Sequence, residues 1–245
     1  QRIGAVPRSR IYTEVGGNQP QACLIEFARD IAAGAREFVL FAGAEAIRNQ
    51  RHAERQGLGL DWNEEHVEPL EDRGYGDDLF TPGEFANGLM LPVSFYSLIE
   101  QARASAAARP QAQHRARMAA LLASFSAIAA ANPYAQFAGA LTAEEILAAA
   151  PMTNLYTKRM VAQDGVNQSA ALLLTSAAKA RELGIAPAKW VFLHGMAEGA
   201  EWMLSERPDP GRAPVAEAVL ERALAMAGRT VADIGPIDIY SCFPC

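Results

Sequence analysis

Residues 16–46, GGNQPQACLIEFARDIAAGAREFVLFAGAEA, predict a turn, an amphipathic helix and a buried strand in direct succession. The first three residues form the turn, and Pro20 fits the first turn of the helix. Gly34 ends that helix. The apolar run 38–42 is typical of a strand that is covered on both faces. Four apolar residues define the buried face of the helix: Leu24, Phe27, Ala28 and Ile31.

The same order of elements returns toward the other end of the chain. Residues 213–227 predict an amphipathic helix, and 237–240 predict a strand after it. This repeats the order found at 20–42. Further buried strands are predicted at 170–174 and 190–193. The pattern indicates two related halves separated by an insertion.

The insertion has its own character. Residues 45–95 are rich in Gly, Pro, Asp and Glu and predict an irregular segment. Residues 95–131 are Ala-rich and predict helices that are broken near Pro110. The second of these has an apolar face made of Met118, Leu121, Leu122, Phe125 and Ile128. Thr142 with Glu145 forms a capping-box pattern that predicts a further helix.

Composition excludes several classes of function. Half of the 245 residues are hydrophobic and a fifth are charged, with a net charge of −6. The Lys and Arg residues are scattered, so a nucleic-acid partner is not expected. No apolar run reaches the ~18 residues of a membrane span. The odd set Cys23, Cys242 and Cys245 is typical of reduced thiols, so we expect a cytoplasmic protein.

Three segments resemble the thiolase superfamily, in its acetyl-CoA acetyltransferase-like and sterol-carrier-thiolase-like branch. Residues 16–46 are similar to the nucleophile loop, helix and following strand of that family. Residues 156–185, YTKRMVAQDGVNQSAALLLTSAAKARELGI, resemble the start of its second half. Residues 234–245, IGPIDIYSCFPC, resemble the strand that carries its Asn-Glu-Ala-Phe or His-Asp-Cys-Phe motif.

The resemblance implies an α/β fold with αβαβα layers, two related halves and a helical loop domain. Residues 1–46 would be part of the N-terminal half, 47–155 the loop domain and 156–245 the first part of the C-terminal half. The chain begins without Met and ends at Cys245, and the family's outer segments are missing. We therefore expect it to be part of a longer polypeptide or to be completed by another chain.

The sequence departs from the family at the catalytic positions. The resemblance implies a nucleophilic cysteine at a helix N-terminus, where the dipole stabilises the thiolate. That position falls at Gly17 or Asn18, and Cys23 lies about a turn and a half further on. Cys23 is therefore either a displaced nucleophile or an inert buried thiol. The family's later His and Cys motifs would lie beyond Cys245.

The third motif supplies catalytic candidates. Tyr240 takes the Asn or His position, where it could donate a hydrogen bond, act as acid or base as in some thiolase-like aldolases, or simply pack in the core. Cys242 matches the cysteine of the His-Asp-Cys-Phe variant and could serve chemistry or packing. His194, at the end of the predicted strand 190–193, could face the site or lie in the core or at its edge.

Other candidates concern ligand contacts. Backbone N–H groups of Gly16, Gly17 and Asn18 could hold a carbonyl oxygen or water, or the turn could only start the helix. Lys158 and Arg159 could touch a CoA phosphate or remain solvated. Three histidines lack metal-ligand spacing and are assigned no role: His52, His66 and His114. No metal site is expected.

Three functions remain open. The resemblance implies an acetyl-CoA acetyltransferase-like protein of lipid metabolism that handles acyl-CoA thioesters, although covalent acyl transfer is disfavoured unless Cys23 replaces the missing nucleophile. A retro-aldol carbon–carbon lyase acting on a CoA thioester would survive this loss. A non-catalytic CoA-binding or partner subunit is the third hypothesis. CoA or acyl-CoA is the expected ligand, without a covalently bound cofactor, and a homo-oligomer or a complex with a further subunit is expected.

Overall fold

The computed structural model describes residues 4, 6–62, 69–75 and 79–245. His66 lies outside these residues. The chain divides into two compact units, which are described separately. Unit 1 comprises Gln1–Leu79 and Gly165–Glu198, and unit 2 comprises Phe80–Asp164 and Gly199–Cys245. The predicted boundaries at 46/47 and 155/156 concern the family's halves and loop domain, and they stay predictions.

The described elements mix helices with short strands. The strands are β1 (Ile11–Tyr12), β2 (Phe38–Ala46), β3 (Glu71–Asp72) and β4 (Asn167–Thr175). The helices are α1 (Gln19–Ala32), α2 (Ile47–Gln56), α3 (Pro82–Ala86), α4 (Pro92–Ala106), α5 (Gln111–Ala130), α6 (Ala143–Ala148), α7 (Ala177–Glu182) and α8 (Pro214–Ala227). Short 3₁₀ turns lie at Lys158–Met160, Pro187–Lys189, Leu204–Glu206 and Val231–Asp233.

Unit 1 is built on an antiparallel ribbon of β2 and β4. The two strands pair along their full lengths, from Phe38 opposite Thr175 to Ala46 opposite Asn167. Strands are confirmed at 38–42 and 170–174, and each extends beyond the predicted run. Their predicted burial is wrong, since Leu40, Leu172 and Leu173 are 53%, 50% and 57% exposed. β1 and β3 form a separate short parallel pair.

Helix α1 packs against this ribbon. The Phe27 ring is 3% exposed and meets the Phe41 ring edge-on, with 5.9 Å between the ring centroids. Pro20 lies in the first turn, and Gly34 follows the helix at φ +73°, a backbone conformation that favours glycine. The predicted buried face is only partly right, since Phe27 is buried with Cys23 and Ile25 rather than with the other predicted residues.

Unit 2 has a core between α5, α6 and the segment around Tyr156. Its buried residues are Met118, Ala119, Ile146, Leu155, Tyr156, Met160 and Phe243. The predicted capping box of α6 is confirmed, because Thr142 Oγ1 accepts from Glu145 N and the Glu145 carboxylate accepts from Thr142 N.

The predicted apolar face of α5 is wrong for its C-terminal part. Phe125 is 57% exposed and Ile128 is 75% exposed, whereas Met118 is buried. Helical periodicity identifies which residues share a face, but only the packing of neighbouring elements decides how much of that face is covered.

Two predicted strands are also wrong for this structure. Residues 190–193 and 237–240 form no strand, and Val191 and Ile239 are 92% and 85% exposed. A strand requires hydrogen bonds to a neighbouring strand, and within the described residues neither segment has one.

The segment 45–95 was predicted to be irregular, but its described residues include the helices α2 and α3. Helix α3 begins with a capping box made by Thr81 and Glu84. Glu84 is 2% exposed, and its carboxylate accepts from Thr81 N and Ser205 N, each at 2.8 Å. This carboxylate therefore joins α3 to the turn Leu204–Glu206.

Among the described residues, none of the helices has both the length and the apolar character needed to cross a bilayer.

Replacing Glu84 by Gln is expected to lower the free energy of unfolding by about 1–3 kcal/mol at neutral pH, because a buried N–H group loses its charged acceptor. Burial raises the pKa of the Glu84 carboxyl. The hydrogen bonds with Thr81 and Ser205 lower it by a larger amount, so the pKa lies below its ordinary value of 4.5. The stabilisation should be complete above this value and disappear as the pH falls through the folded-state pKa.

Urea unfolding followed by circular dichroism between pH 3 and pH 7 measures this difference. Glu217→Gln is the matched control, since Glu217 pairs with Arg212 while both side chains remain exposed. Equal effects of the two substitutions at pH 7 would contradict the anchoring role of Glu84.

Candidate functional site

The turn before α1 presents backbone and amide groups at the position where a nucleophile is expected. Gln19 N donates to Gly16 O at 3.1 Å, which closes the turn. Asn18 lies at the N-cap position, but its side chain makes no capping hydrogen bond. Apart from Gly17 itself and its two neighbours in the chain, no residue has a heavy atom within 4 Å of the position that a Cβ at Gly17 would occupy. The predicted nucleophile position is therefore open and carries no thiol.

Cys23 is not placed to replace the missing nucleophile. It lies inside α1 and is 1% exposed, with its Sγ 3.9 Å from the Gln19 amide oxygen. Burial, followed by the nearby Glu26 carboxylate, raises the pKa of the Cys23 thiol, although Arg73 opposes this. The protonated thiol is the poorer nucleophile.

A cavity of about 390 Å³ runs along α1 within unit 1, beside Glu14, Arg73 and Glu198. Its arginines are already paired with carboxylates. Arg73 donates to both oxygens of Glu26 at 2.7 and 2.8 Å, and Arg29 donates to Glu198 at 2.6 Å. An anionic ligand would have to displace these ion pairs, so the cavity does not suit a phosphate group.

The structure brings two residues of the third motif together. The Tyr240 hydroxyl lies 3.0 Å from Cys242 Sγ, and the Tyr240 side chain is 73% exposed. The hydrogen bond with Cys242, followed by the electrostatic effect of that thiol and by burial, raises the pKa of Tyr240. Tyr240 is therefore a phenol at neutral pH, and its single O–H is available to a ligand when the Cys242 thiol is the donor of this pair.

The remaining candidates are exposed. His194 follows a segment that forms no strand, and it lies in unit 1 with residues 16–18. Lys158 and Arg159 lie on a 3₁₀ turn of unit 2, and the Arg159 guanidinium is 4.7 Å from the centroid of the Phe137 ring. Tyr240 and Cys242 belong to the same unit. The catalytic and binding roles of these residues stay predictions.

A buried polar group in unit 2 was missed by sequence reasoning. His114 and Glu100 are 4% and 1% exposed, and His114 Nε2 contacts Glu100 Oε2. Arg109 Nη1 lies 2.8 Å from His114 Nδ1. Because a guanidinium only donates, Nδ1 accepts and Nε2 carries the proton that is donated to Glu100. This group joins α4 to α5, and no spacing in the sequence indicates it.

Among the described residues, no three His, Cys, Asp or Glu side chains are grouped so that they could hold a metal ion.

Solved structures with the same fold place the chain among known proteins. The monomeric SCP2-thiolase-like protein type 1 from Mycobacterium smegmatis matches with a TM-score of 0.77 at 33% identity, over 99% of this chain and 47% of that one. The Ltp2-ChsH2(DUF35) aldolase matches in fold, with a TM-score of 0.65 at 16% identity, over 90% of this chain and 52% of that one. The predicted α/β fold is therefore confirmed, and the chain spans about half the length of these proteins. No protein-family model matches the sequence, and neither does any curated protein.

In the native protein, iodoacetamide is expected to alkylate Cys23 at least ~10-fold more slowly than Cys242, because Cys23 is buried and its thiol pKa is raised. Peptide mass spectrometry after timed quenching at pH 7.5 measures both rates. Protein unfolded in urea is the control and should show similar rates at the two positions. Rapid native labelling of Cys23 would restore it as a candidate nucleophile.

Proposed function

Because the chain belongs to the thiolase superfamily, in its SCP2-thiolase-like branch, we propose that the protein binds acyl-CoA thioesters without forming an acyl-enzyme on α1. The open start of α1 is the observation that supports this proposal. A covalent route needs a thiolate there. Residues 16–18 offer only backbone and amide groups, and Cys23 is a buried, protonated thiol one turn inside the helix.

The start of α1 still suits a thioester carbonyl oxygen. The first N–H groups of α1 itself are occupied or absent, because Gln19 N donates to Gly16 O, Gln21 N donates to Asn18 O, and Pro20 has no N–H. The proposed donors are therefore the backbone N–H groups of Gly17 and Asn18 just before the helix, where its dipole favours partial negative charge. The open space at Gly17 allows a ligand to approach the backbone closely. In this proposal residues 16–18 polarise the thioester and do not attack it.

A retro-aldol cleavage is the reaction that this arrangement favours. A base removes the proton of a β-hydroxyl group, the bond between the α and β carbons breaks, and its electron pair enters the thioester enolate. A proton then returns to the α carbon. In unit 2, the exposed Tyr240 hydroxyl beside Cys242 is a separate candidate donor of a hydrogen bond to an oxygen of the substrate, and it is proposed independently of residues 16–18.

The remaining assignments follow from the ligand. Lys158 and Arg159 are exposed cations on one turn, and we assign them to the phosphates of CoA. The three free thiols fit a cytoplasmic protein, where a role in lipid metabolism is proposed. Assembly as a homo-oligomer or with a further subunit belongs to the same proposal.

Incubation with acetoacetyl-CoA is expected to leave the wild-type protein without a covalent acetyl group, as measured by intact-protein mass spectrometry. Gly17→Cys places a thiol in open space at the helix start and should become acetylated. Cys23→Ser is the control and should behave like wild type. An acetyl group on wild-type Cys23 would overturn the proposal.

Replacing Tyr240 by Phe is expected to lower the turnover of a β-hydroxyacyl-CoA by ~10²-fold, the usual scale for the loss of one hydrogen-bond donor to a developing oxyanion. Release of the free ketone or aldehyde measures the reaction. Tyr134→Phe is the matched control in unit 2, because Tyr134 is 93% exposed. Unchanged turnover in Tyr240→Phe would reject its role. Binding of CoA without turnover of any such thioester would favour the non-catalytic subunit.

A further inference from the structure

The buried ring of Phe243 anchors the third motif in the core of unit 2. Phe243 is 6% exposed, whereas Tyr240, three residues earlier, is 73% exposed. The Phe243 ring stacks on Tyr96 of α4, with 4.2 Å between the centroids and 21° between the ring planes. It also packs against Tyr156 at 5.2 Å. We call these three residues the aromatic clamp.

The tyrosines of the clamp are themselves held in place. Tyr156 is fully buried, and its hydroxyl donates to the backbone carbonyl of Tyr96 at 3.2 Å. Its backbone N–H donates to Thr153 Oγ1 at 3.0 Å, and its carbonyl accepts from Met152 N at 2.8 Å. The two tyrosines of the clamp therefore present a fixed surface to Phe243.

The backbone beside Phe243 is held as well. Ala162 N donates to the carbonyl of Cys242 at 3.1 Å, and Phe243 N donates to Ser241 Oγ at 3.2 Å. The Tyr240 hydroxyl and Cys242 Sγ thus meet in a short segment that is exposed at Tyr240 and held in place at Phe243. Loss of the Phe243 packing would remove the aromatic anchor of this segment and leave the hydrogen bond from Ala162 N to hold its backbone.

We infer that Tyr96 and Tyr156 are positioning residues, which hold Cys242 against the Tyr240 hydroxyl by enclosing Phe243. Tyr96 acts through its ring face and not through its hydroxyl group, because the ring is the part that stacks on Phe243. The catalytic meaning of the inference rests on the proposed function of Tyr240, but the geometry can be tested without any substrate.

A double-mutant cycle on the purified protein tests the clamp. The measured quantity is the rate at which iodoacetamide alkylates Cys242, followed by peptide mass spectrometry. In the wild-type background, Tyr240→Phe removes the contacting hydroxyl and should change this rate by about 3-fold or more. In the Tyr96→Ala background the same substitution should change it by less than ~1.5-fold, because the two groups no longer meet.

Tyr96→Phe is the matched control, since it keeps the ring and should keep the full effect of Tyr240→Phe. If Tyr96→Ala does not fold by circular dichroism, Tyr96→Leu replaces it and retains apolar volume without a ring face. An undiminished effect of Tyr240→Phe in the Ala or Leu background would overturn the positioning role. This readout needs no turnover, so its failure is distinguishable from a failure of the proposed reaction.

Discussion

The antiparallel pairing of β2 with β4 is the interaction on which unit 1 depends. It joins residues 38–46 to 167–175 through a continuous ladder of hydrogen bonds. These hydrogen bonds together offset the entropy that is lost when the long intervening segment is closed into a loop. Helix α1 packs on this ribbon through Phe27 and Phe41, and the packing positions the turn at residues 16–18. The intervening residues 80–164 then supply most of the separate core of unit 2.

The chemistry of the chain follows from where its thiols lie. A thiolate at a helix start is stabilised by the dipole, whereas a thiol buried within the helix loses solvation when it ionises. The only thiol on α1 among the described residues, Cys23, is of the second kind. The polar groups that remain exposed, at residues 16–18 and at Tyr240, suit hydrogen bonding to a thioester or hydroxyl oxygen. Both observations support the proposal of a reaction without an acyl-enzyme.

Local signals predicted much of the fold. The turn and Pro20 marked the start of α1, the apolar runs marked β2 and β4, and Thr142 with Glu145 marked α6. Thr81 with Glu84 carried the same capping signal within the insertion but was overlooked. The predicted strands at 190–193 and 237–240 were wrong. An apolar run is compatible with a strand, but a strand also requires a neighbouring strand with which to form hydrogen bonds.

By itself, the sequence determined that α1 begins after a glycine-rich turn and that no cysteine stands there, because both depend on residues adjacent in the chain. Only the tertiary structure decided that β2 pairs with β4, that His114 meets Glu100, and that Phe243 lies between Tyr96 and Tyr156. These contacts join residues that are far apart in sequence or separated by a break between helices. Local periodicity does not encode such partners, since each side chain could satisfy its burial or hydrogen bonding in other ways.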